Sequence, residues 1–81
     1  MNVWYEIMDM DSANMVGDWP TEEEGLRFVS QYIKQYGAKA RKAVAHWAFA
    51  RDGERDEDFL LIAEGDALAE LAMHAVAGAA D

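Results

Sequence analysis

Apolar and polar positions alternate at the start of the chain. Val3, Tyr5 and Ile7 share one side of an extended backbone, and Trp4, Glu6 and Met8 share the other. With their aromatic and β-branched content, residues 3–10 predict a strand. Asp11-Ser12-Ala13-Asn14 is turn chemistry, because Asx and Ser side chains bond their own backbone. Met15-Val16 then predicts a short returning strand that ends near Gly17-Asp18 and completes a hairpin. From there the period changes. Leu26, Val29, Ile33 and Tyr36 recur at spacings of three and four, the stripe of an amphipathic helix. Thr21 and Glu24 form a capping box at its start, and Glu22, Glu23 and Glu24 lie at the positive end of its dipole. Lys34 near the end and Gly37 as C′ residue close a helix over about 21–36.

Residues 38–51 obey two patterns. Their alanines favour a helix. Their alternation favours a strand, with Ala43, Ala45, Trp47 and Phe49 on one face and Val44, His46, Ala48 and Ala50 on the other. A polar turn, Asp52 to Asp58, separates them from the apolar run Phe59-Leu60-Leu61-Ile62-Ala63, which reads as a strand buried on both faces. This arrangement looks like a second hairpin and favours a strand over about 43–51. Gly65-Asp66 then starts a helix with Asp66 as N-cap; Leu68, Leu71, Ala72 and Ala75 form its apolar face, and Gly78 ends it. The resulting ββα-ββα order predicts an α+β two-layer sandwich over a single domain, residues 1–81. Its four-stranded antiparallel sheet carries two helices on one face. If Val3, Tyr5 and Ile7 face the helices, Trp4 and Met8 lie on the uncovered face, the kind of apolar patch that marks a partner or self-association site. The alternative is that these residues are core.

Composition narrows the function classes. The chain has 81 residues, 52% of them hydrophobic, but many of those are alanine. The core is therefore modest and the stability margin thin, which makes a homodimer the default expectation. The absence of cysteine excludes disulfides, thiolate metal sites and thiol catalysis. No apolar run approaches the ~20 residues that span a bilayer. The early Glu6 and the lack of a basic leader point to a cytoplasmic protein.

Charge is sorted along the chain. Glu6, Asp9, Asp11, Asp18, Glu22, Glu23 and Glu24 precede any base; Arg27, Lys34, Lys39, Arg41, Lys42 and Arg51 then follow with no acid among them. Beyond Arg51 the charged residues are nine acids and one base, Arg55, and the net charge is −9. Such blocks can pair within a fold or between molecules, while the acidic surplus repels nucleic acid and anionic membrane.

Candidate chemistry is sparse. Ser12 lies in a turn and Ser30 on a helix without a Gly-rich elbow, so neither suits a nucleophile. Glu70 and His74, four apart, could supply two metal ligands but read as an ordinary helical pair. Asp52, Glu54, Asp56 and Asp58 alternate like calcium ligands, and Asp9, Asp11 and Asn14 crowd the first turn. The glycine and glutamate positions of a calcium loop are not met, which favours a solvated acidic turn. Lys39, Arg41 and Lys42 form a basic cluster whose partners in so acidic a chain are carboxylates rather than phosphate. Trp4, Trp19 and Trp47 read as core or interface anchors.

Residues 5–29, a hairpin followed by Gly17-Asp18-Trp19-Pro20-Thr21-Glu22-Glu23-Glu24, resemble the hairpin-to-helix segment of HicB-type antitoxin domains. The chain departs from that family where a Pro-Gly-Cys stretch is usual, and Glu24 or Gly25 stands at the alanine of the helix start. The resemblance implies a small dimeric protein that masks a basic RNA-cleaving toxin.

The expectation is thus a non-enzymatic, self-associating interaction module that binds a basic protein partner. Trp4, Met8, Trp19, Lys39, Arg41 and Lys42 are its candidate contact residues, and no cofactor, metal, nucleic acid or membrane is involved. Two alternatives stand beside it. One is a small-molecule or metal-binding module near Trp47 and His46 or at the acidic turns. The other is an enzyme with a site shared between subunits, using His46, His74 and Glu70.

Overall fold

The first alternating segment forms β1 (Val3–Asp9), and the chain returns as β2 (Asn14–Trp19) in a computed structural model that describes residues 2–80, with side chains as far as Ala75. Asp9 Oδ1 ties the intervening turn by accepting from the backbone N–H groups of Asp11 (2.9 Å) and Ser12 (3.4 Å). Helix α1 (Glu22–Tyr36) begins at the predicted capping box. Thr21 Oγ1 accepts from the Glu24 N–H at 3.2 Å and donates to Glu24 Oε2 at 3.2 Å.

Gly37 ends α1 with φ 61°, a conformation that costs a side-chain-bearing residue, and its N–H bonds Ile33 O at 2.8 Å. The bend starts a further helix, α2 (Ala38–Val44), where the alternation had favoured a strand from 43. Alanine and valine fit either period. Ala40 and Val44 are fully buried while Lys42 between them is exposed, which a helix allows and a strand, with 40, 42 and 44 on one face, does not. The predicted strand is therefore shorter, β3 (Trp47–Gly53), and follows Ala45 and His46. A 3₁₀ turn at Asp56–Asp58 leads to β4 (Leu60–Glu64) and then α3 (Gly65–Ala80). Helix α3 begins one residue before Asp66, placing that carboxylate in the first turn rather than at the cap, and continues past Gly78.

The sheet is antiparallel in the order β2-β1-β3-β4, and the fold is the expected α+β arrangement with a third helix added. In each hairpin the ladder skips one residue of the edge strand. Val16 is passed over between the pairs Ile7–Gly17 and Met8–Met15, and Ile62 between Phe49–Ala63 and Ala50–Leu61. All three helices cover one face. Ile7 and Phe49 rise from the sheet to meet Leu26, Val29 and Ile33 of α1, Val44 of α2, and Leu68 and Ala72 of α3. Burial of a side chain such as Leu68 is worth about 1.5–3 kcal/mol. Tyr36, expected on the buried stripe, is 53% exposed and rests on Tyr32 with ring centroids 5.2 Å apart. The molecule is two layers thick, and its Cα atoms span 36 × 34 × 17 Å.

Candidate functional site

Pairing register fixes what the uncovered face of the sheet displays, because residues directly opposite in an antiparallel ladder share a face. Ile7, Trp47 and Phe49 point into the helices, so the even-numbered residues of β1 and β3 point away. Across the sheet run Asp18, Glu6, Ala50 and Leu61; the next row is Met15, Met8, Ala48 and Glu64; Trp4 lies opposite Asp52. This is the face on which Trp4 and Met8 were expected.

The face is concave. Met8 and Met10 on one side and Phe59 and Leu61 on the other enclose a trough of about 300 Å³ over Ala48 and Ala50, with Glu6 and Glu64 among its lining residues. Its depth follows from the sequence: β3 contributes only methyl groups here, while the strands on either side contribute long side chains. Phe59 is 54% exposed and Leu61 47%. The apolar run 59–63 is therefore not buried on both faces. It is an edge strand whose Leu61 belongs to the open trough, while Ile62 and Ala63 pack toward the core.

The electrostatics of this face are one-sided. Glu6, Asp18, Asp52 and Glu64 all lie on it by register. Among the described residues no base accompanies them. Arg27 and Lys34 are on α1, Lys39, Arg41 and Lys42 are exposed on α2, Arg51 is on the opposite face of β3, and Arg55 is in the β3–β4 loop. Glu6 accepts a hydrogen bond from Trp4 Nε1 at 3.0 Å. It also stands directly across from Asp18, a like-charged pair that destabilises a hairpin by itself.

The six predicted contact residues are thus not one surface. Trp4 and Met8 share the open face. Trp19 lies on the helix side, half-buried against Phe28 with ring centroids 5.0 Å apart. Lys39, Arg41 and Lys42 project from the helical layer. The residues that complete the trough, Ala48, Ala50, Phe59 and Leu61, were missed. Their signal was present for β3, since small alanines alternate with Trp47 and Phe49.

Other candidate groups find local partners. Trp47 is 6% exposed, and its ring stacks on Phe28 (6.2 Å) and Tyr32 (5.2 Å). Trp47 and the exposed His46 border a shallower depression of about 290 Å³ that also includes Met10, Ala45, Glu64 and Gly65. His74 and Glu70 form an exposed helical pair at 3.6 Å. In the acidic turn Asp52 Oδ1 accepts from Gly53 N–H (2.8 Å) and Asp58 Oδ2 from Arg55 N–H (3.0 Å), so these carboxylates hold the loop. Among the described residues no three His, Cys, Asp or Glu side chains converge as metal ligands, and no helix is long and apolar enough to cross a membrane. Ser30 is buried, with its hydroxyl donating to Met73 Sδ at 3.8 Å. Comparison of the chain with protein-family models, curated proteins and solved structures finds no match.

Proposed function

We propose that this protein is a non-enzymatic interaction module that binds a basic protein partner through the open face of its sheet. The observation that carries the reading is the composition of that face: an apolar trough bordered by Glu6, Asp18, Asp52 and Glu64, with the described bases elsewhere. Apolar floor supplies affinity, and the carboxylates steer and select a cationic partner. The resemblance of residues 5–29 to HicB-type antitoxin domains gives the reading a particular form, in which the partner is a basic RNA-cleaving toxin. Self-association through the same face would press two sets of carboxylates together, so a homodimer would use another surface.

The test is affinity capture of the tagged protein from its native host at low and high salt, beside a Glu6→Lys/Glu64→Lys variant. Stoichiometric recovery of a basic protein, weakened by salt and lost with the variant, is expected. Recovery of the bait alone at low salt would overturn the reading.

A further inference from the structure

We infer that the occupant of the open face is an amphipathic α-helix with cationic flanks, lying along β3 in the trough between β1 and β4. This rests on the reading that the partner is a basic protein, and it specifies the form in which that partner arrives.

Backbone chemistry decides between a helix and an extended segment. The N–H and C=O groups of β3 point sideways into its ladders with β1 and β4. A segment lying on the face of the sheet finds no backbone partner there. It must satisfy its own polar groups, and a helix does so while an extended peptide leaves them buried and unpaired.

The dimensions agree. β1 and β4 flank β3, so their backbones stand two strand spacings apart, about 9.6 Å, and the trough of about 300 Å³ between their side chains takes the apolar stripe of a helix whose ~10 Å body rests above it. Ala48 and Ala50 are two residues apart on one face, about 6.6 Å, and residues four apart on a helix advance about 6 Å. Two successive large side chains of an apolar stripe therefore meet the two alanine sites. The seven residues of β3 extend about 23 Å, the length of roughly 15 helical residues. Met8 and Met10 give the wall an adaptable surface. Glu6 with Asp18 on one flank, and Glu64 on the other, meet lysine or arginine on both sides of the stripe.

A second copy does not supply this helix. The basic helix α2 has seven residues, and its apolar Ala40 and Val44 are buried in its own core.

The probe is a 15-residue peptide of leucine, lysine and alanine with leucines at helical spacing. Its control has the same composition with leucine and lysine alternating. Binding is followed by calorimetry and by backbone amide NMR shifts on the full chain. The helical-period peptide is expected to bind about tenfold or more tightly than the control and to shift Ala48, Ala50 and Leu61. Ala48→Arg fills and recharges the trough, and Leu61→Lys does so at an already exposed position; either is expected to weaken binding about tenfold with the melting temperature retained. Leu61→Lys decides if Ala48→Arg does not fold.

Equal binding of the two peptides, or unchanged affinity in a folded variant, overturns the inference. Capture of the natural basic partner by these folded variants overturns the helix in the trough and leaves the basic-partner reading standing. Absence of any basic partner in the capture overturns both.

Discussion

Glu6 and Asp18 face each other across β1 and β2, like charges on the open face of a hairpin that the rest of the fold holds in register. Cross-strand like charges cost a few tenths to about 1 kcal/mol. A cationic partner removes that cost. Asp18→Lys converts the pair to opposite charges and is expected to raise stability by about 0.2–1 kcal/mol while weakening the partner complex. A denaturant midpoint and a binding isotherm on the same variant check both halves. Loss of stability would contradict the assignment of the two carboxylates to one face.

Gly25 of α1 leaves room for the Phe49 ring of β3. A Cβ at this position would come within 2.6 Å of Phe49 Cε1 and 3.4 Å of Trp19 Cε3. Alanine, normally the better helix former, is therefore expected to destabilise here by about 1–3 kcal/mol through overpacking. Urea unfolding of Gly25→Ala measures the sign; a gain in stability would place α1 farther from β3.

Thr21 closes the first turn of α1 through the Glu24 N–H. Thr21→Ala is expected to lower stability by about 1 kcal/mol, with Thr21→Ser near neutral. Far-UV circular dichroism against temperature distinguishes the pair, and equal melting of all three proteins would deny the cap a role.

Lys39, Arg41 and Lys42 sit on α2, on the covered side of the sheet. Reversing all three to glutamate is expected to leave partner affinity within about twofold, since the charges lie outside the trough and are screened beyond about a Debye length. A salt series on this variant beside the Glu6→Lys/Glu64→Lys variant separates the two faces. A collapse of binding in the α2 variant would return the basic cluster to the interface.

Much of this fold is written in short-range pattern. The alternation of residues 3–10 predicted the strand and its two sides, while which side meets the helices was settled by the burial of Ile7 and Tyr5 against the core. The capping box located α1 because Thr21 and Glu24 satisfy backbone groups that are local in sequence. Legibility failed where two periods shared the same residues. Ala38 to Val44 contain no large apolar side chain to mark a face before Val44, and the helix shows only in the folded core, which takes Ala40 and Val44 and leaves Lys42 in solvent.

The surface was half legible for a related reason. The alternation of β1 put Trp4 and Met8 on one side, but whether that side was open or core was undecided until the helices were placed. Leu61 was hidden inside an apolar run, since an edge strand facing a hydrophobic trough and a central strand buried on two sides have the same composition. Trp19 was assigned by residue type, and its place beside Phe28 depends on a helix that begins three residues later. The gathering of carboxylates on one face depends on strand order, which no local pattern encodes.

The two skipped residues, Val16 and Ile62, have a consequence for growth of the sheet. Both lie in edge strands, so each border carries an extra residue that coils it and breaks the regular sequence of free backbone groups. A border of that shape is a poor template for strand recruitment, even along the exposed leucines of β4. If the proposed reading holds, the sheet takes on another layer but not another strand.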